Sequence, residues 1–180
     1  MLGGSRDSRW QIALTSALLA AGCNGDGFSP DQSQFARLET LATSDQAVAR
    51  LYAAPLAGVE SVAVHPWFVV KRAGASEFER WEVWPVLALP YGHVRKNRIP
   101  PEADAGAGGV FVVAELIGQP AEPVVQFVQS QSPNYPCRFL YVLVPGPNSS
   151  SYAQWILDNT YWNAALPPNA IGRHVPADCL

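Results

Sequence analysis

Charge is scarce in this chain: only 15% of its 180 residues are Asp, Glu, Lys or Arg, and the formal net charge is −3. The densest basic stretch, His93-Val94-Arg95-Lys96-Asn97-Arg98, reads as a solvated loop rather than a phosphate site. Nucleic acid is therefore not an expected partner, because phosphate binding needs clustered Lys and Arg. Histidine and cysteine are scarce too. His65, His93 and His174 are scattered, and the cysteines are far apart. Neither set has metal-ligand spacing, so no metal or cofactor is expected. What the chain does have is apolar bulk. Hydrophobic residues are 48%, enough for the core of one domain with a short appendage.

The N-terminal segment does not read as part of a fold. Arg6 and Arg9 precede an apolar run over residues 10–21, which ends in Ala20-Ala21-Gly22-Cys23. A basic start, a short apolar stretch and small residues make a secretory signal. The run is too short to cross a hydrocarbon core of roughly 30 Å. Its ending resembles the lipobox of bacterial lipoproteins, with Ala20 where Leu is usual and Leu19 one place earlier. That resemblance implies cleavage before Cys23, lipidation of Cys23 and a membrane partner through the lipid. A plain signal peptide or an uncleaved anchor are the alternatives. Asn24 is not the Asp that retains lipoproteins in the inner membrane, which favours the outer membrane. The expected location is the bacterial envelope, facing the periplasm. Cys137 and Cys179 are then left as an even pair, which an oxidising compartment joins if geometry allows.

The expected organisation is a signal peptide over 1–22, a tether and helix over 23–48, and one α+β domain over 49–180. Residues 31–54 carry apolar positions at helical spacing, although the last of them equally suit the opening of a strand. Residues 59–71 and 78–89 read as antiparallel strands around the turn Ala73-Gly74-Ala75-Ser76. Pro66 and Pro85 lack an N–H, so each strand should lie at an edge or carry a bulge there. Residues 99–109 read as a mobile loop, 110–116 as a strand and 120–131 as a helix with early proline. Residues 138–144 look like the clearest buried strand, and 149–159 like an amphipathic helix. This order fits an antiparallel sheet with helices packed on one face.

Two places carry candidate chemistry. Pro145-Gly146-Pro147-Asn148-Ser149 ends a turn and opens a helix, where N–H groups are unpaired and the dipole is positive. Asn148 or Ser149 also suits a plain N-cap. Ser149, Tyr152, Ala153 and Ile156 share the apolar stripe, so Ser149 should face the sheet. His65 shares a strand face with Ala63, Trp67 and Val69. A buried imidazole needs a partner, and the next strand offers Glu82, with Arg80 on its face, or Glu79 on the other. Such a pair suits either a tuned general base or a structural contact.

Four motifs stand in order: Val64-His65-Pro66-Trp67, Ala73-Gly74-Ala75-Ser76-Glu77, Gly146-Pro147-Asn148-Ser149 and Leu166-Pro167-Pro168-Asn169-Ala170-Ile171-Gly172. Together they resemble a bacterial family filed as domain of unknown function 3750, over residues 49–173. The family's usual Asn-Ser-Asn-Thr-Phe stands here as Asn148-Ser149-Ser150-Ser151-Tyr152. A more distant resemblance is to circularly permuted papain-like (NlpC/P60-type) hydrolases and acyltransferases, with Ser149 where those enzymes carry cysteine. It implies His65 as base, Ser149 as nucleophile and Glu82 as orienter, acting on an amide or ester. A serine hydroxyl is harder to activate than a thiol, so the alternative is a non-catalytic envelope module that binds peptidoglycan, peptide or lipid, with exposed Trp and Tyr lining an acidic groove.

Overall fold

The computed structural model describes residues 32, 35–104 and 108–179. The expected signal segment and Cys23 lie outside the described residues. Five strands, β1 (Val48–Pro55), β2 (Val64–Lys71), β3 (Glu79–Ala88), β4 (Gly92–Lys96) and β5 (Phe111–Ile117), form one sheet in the order β4-β3-β2-β1-β5. Every neighbouring pair is antiparallel. The class is α+β, as the sequence predicts.

Strand alternation gives each face its own layer. Ala49, Leu51 and Ala53 of β1, Val64, Phe68 and Val70 of β2, and Trp81 and Val83 of β3 point one way. Helices α2 (Glu122–Gln131) and α3 (Ser149–Thr160) cover this side through Val124, Val128, Tyr152 and Ile156. Val48, Tyr52, Trp67 and Val69 point the other way, beneath the short helix α1 (Leu38–Ala42) and its Leu38 and Leu41. Helical cover is thus not confined to one face: α2 and α3 form the main layer, and α1 is a small patch opposite.

Several sequence expectations are corrected. The expected helix over residues 31–54 breaks after α1, and residues 48–55 form a strand. β1 sits between β2 and β5 and is buried on both faces, so no polar alternation marks it as a strand. Residues 138–144 form no strand. Phe139, Leu140, Leu143 and Val144 are exposed, and the segment folds back with Val142 N–H donating to Pro147 O. Only one bond, His93 N–H to Arg138 O, joins it to β4. The basic stretch at 93–98 is not a free loop, since most of it builds β4. The loop after Ile99 is not free either: Trp67 Nε1–H donates to Pro101 O at 2.9 Å, and Arg80 holds the carbonyls of Pro100, Pro101 and Ala103.

The prolines behave as their missing N–H requires. Pro66 lies in the central strand, but β2 pairs with β3 only over Phe68–Val70, so the ladder is already open beside it. Pro85 falls within the register shift between Val83 and Ala88.

Candidate functional site

The face away from α3 buries a charged cluster. Glu82 is fully buried. Arg80 grips it with two bonds, Nε–H to Oε1 at 2.9 Å and Nη2–H to Oε2 at 2.7 Å. His65 Nε2–H donates to the same Oε2 at 2.9 Å. A carboxylate only accepts, so this bond fixes the Nε2–H tautomer. The alternative partner Glu79 instead takes Trp81 Nε1–H and Lys96 Nζ. The Arg80 guanidinium also lies 4.1 Å from the Trp67 ring centroid. Burial alone would raise the Glu82 carboxyl, but hydrogen bonds from His65 and Arg80 and the adjoining guanidinium charge outweigh it and hold it below the usual range.

The same face holds two further satisfied cations. Lys71 is fully buried, and its ammonium donates to the carbonyls of Ser44, Gln46 and Ala75 at 2.7–3.0 Å. Arg50 bonds Glu115, Ala36 O and the Tyr52 hydroxyl. With so complete a set of partners, these groups hold strands and loops together.

The N-terminus of α3 is built differently. Asn148 is its N-cap: Oδ1 accepts from Ser150 N–H at 2.8 Å, and Ser151 Oγ returns to Asn148 N–H at 3.3 Å. Its amide nitrogen donates to Leu143 O and Ile171 O, while Ser151 Oγ–H donates to Gly172 O at 2.6 Å. One asparagine thus caps a helix and ties two loops to it. Gly172 has φ +96°, and a Cβ there would meet Asn148 Nδ2 at 2.6 Å, so only glycine fits.

Beside this cap lies a pocket of about 120 Å³. Its wall is mostly aliphatic, with Val62, Ala63, Val64, Leu143 and Ile171 beside Tyr141, and Ser149 and Ser150 open into it. Those serines are 5% and 1% exposed, yet their hydroxyls make no hydrogen bond among the described residues. Ser149 N–H, at the first helical position, likewise has no acceptor there. A wider cleft of about 750 Å³ lies along the outer side of α3, but its buried serine, Ser151, is already bonded to Gly172.

The family model described as a protein of unknown function (DUF3750) matches residues 46–175. The chain belongs to this family. No curated protein and no solved structure matches it. The family's motifs now have a physical reading. Three of the four meet at the pocket: Val64 N–H donates to Asn169 O, and Asn148 joins Ile171. The fourth, around Ala75, supplies a carbonyl to Lys71 at the far end of β2.

The sequence-predicted residues divide between these regions. His65 and Glu82 are paired as expected. Ser149 does not join them. Val64 contacts the pocket from the α3 side, and its neighbour His65 projects from the opposite face, against Glu82, Trp67 and Trp84. The expected base–nucleophile pair is thus corrected by simple strand parity. Cys137 and Cys179 are bonded to each other. Cys23 lies outside the described residues. Trp67, Trp81 and Trp162 are buried, whereas Trp155 lines the wider cleft together with Asp158 and Asp178. Among the described residues, no group of three or more His, Cys, Asp or Glu could hold a metal, and no helix is long and apolar enough to cross a membrane. Sequence reasoning missed Ser150 and the second task of Asn148. The run of three serines after an asparagine was the available signal.

Proposed function

We propose that this family member is a non-catalytic binding module of the bacterial envelope, carrying its ligand at the N-terminus of α3. The observation that carries this reading is the mismatch in partners. Ser149 and Ser150 line a pocket with hydroxyls that make no hydrogen bond among the described residues, whereas His65 is committed to Glu82 on the other face. A nucleophilic serine needs a base within hydrogen-bond reach. None of the pocket-lining residues is His, Lys, Asp or Glu. The same groups suit binding, where a ligand acceptor takes the serine hydroxyl hydrogens.

The envelope setting is supported by the lipobox-like Ala20-Ala21-Gly22-Cys23 and by the Cys137–Cys179 bond, which fits an oxidising compartment. Fluorophosphonate labelling of purified protein, compared with Ser149→Ala, tests the non-catalytic reading. It expects no Ser149-dependent adduct. Labelling that disappears in the variant would reinstate the hydrolase or acyltransferase reading.

A further inference from the structure

We infer, building on the binding reading above, that the pocket takes one branched aliphatic side chain of an extended peptide, together with that residue's backbone carbonyl. Size comes first. A cavity of about 120 Å³ has room for a small apolar group such as a leucine or isoleucine side chain.

Charge comes second. Among the residues lining the pocket there is no Lys, Arg or His. A buried carboxylate would find no counter-charge there, and burying an unpaired charge costs far more than burying a paired one. The donors at Ser149 and Ser150, at the positive end of the helix dipole, suit an acceptor oxygen, which a peptide carbonyl supplies. The rim comes third. Val62, Leu143 and Val144 are 53%, 56% and 63% exposed around the opening. They offer apolar contact to the residues that flank the anchored one, as an extended peptide provides and an isolated small molecule does not.

The test is an NMR titration of the ¹⁵N-labelled full chain with N-acetyl-leucine methylamide, N-acetyl-alanine methylamide and decanoate. The leucine probe is expected to shift the Ser149, Ser150 and Val64 amides. It should bind at least tenfold tighter than the alanine probe, since each methylene buried is worth roughly fourfold. Ser149→Ala should weaken the leucine probe by roughly threefold to tenfold. Ala63→Leu, which fills the pocket, should abolish the shifts, with a thermal melt reporting on its fold. Equal affinity for the leucine and alanine probes, or no shifts at the pocket at millimolar probe, would overturn the inference. A preference for decanoate would also overturn it, pointing to lipid, while non-catalytic binding stands. Ser149-dependent fluorophosphonate labelling would strike the binding reading itself.

Discussion

Glu82 and Ser149 are both almost completely buried, on opposite sides of one sheet, and they differ in company. Glu82 receives three hydrogen bonds from Arg80 and His65. The Ser149 hydroxyl receives none among the described residues. The comparison separates two uses of buried polarity. Groups whose partners are supplied by the chain lock its strands together. Groups left without partners beside a cavity mark where something else binds. Histidine, arginine and glutamate look like catalytic residues in a sequence. Here they belong to the first kind.

The comparison makes its largest demand at Glu82. Glu82→Ala would leave the Arg80 charge buried and unpaired, and should cost about 3–5 kcal/mol in urea unfolding. The same carboxyl sets an acid limit. Its folded pKa lies below the unfolded value, so its contribution is complete above about pH 4.5 and is lost as pH falls through the depressed folded value. Urea midpoints followed from pH 7 to pH 3 should fall in that window, and Glu82→Gln should flatten the fall. Serine at both Cys137 and Cys179 opens a 42-residue loop and should cost about 2–4 kcal/mol. Asn148→Ala removes the cap and two loop ties, for about 1–2 kcal/mol by thermal melt. Ser149→Ala should be the smallest, within about 0.5 kcal/mol of wild type, because its hydroxyl makes no hydrogen bond among the described residues. A large loss there would erase the distinction between the two regions.

Much of this was legible in the sequence, for identifiable reasons. The β2–β3 hairpin, the His65–Glu82 pair and α3 all show in residue type and spacing, because each depends on neighbours close along the chain. The β1 segment suits helix or strand in the sequence because both its faces are buried, which removes the polar alternation that signals a strand. The exposed apolar run at 139–144 looks buried in the sequence because composition does not report which surface a loop joins. The candidate pair of His65 and Ser149 rests on the papain-like resemblance. Strand parity places Val64, not His65, on the pocket side. The cap that ties Leu143, Ile171 and Gly172 together spans distant segments, and no local pattern carries it.

The independence of the two regions is tested most directly by double-mutant cycles on unfolding free energy. His65→Ala combined with Glu82→Gln should be coupled by more than about 1 kcal/mol, as bonded neighbours are. His65→Ala combined with Ser149→Ala should be additive within about 0.5 kcal/mol. Strong coupling between His65 and Ser149 would mean that the imidazole reaches the hydroxyl, and would contradict the account.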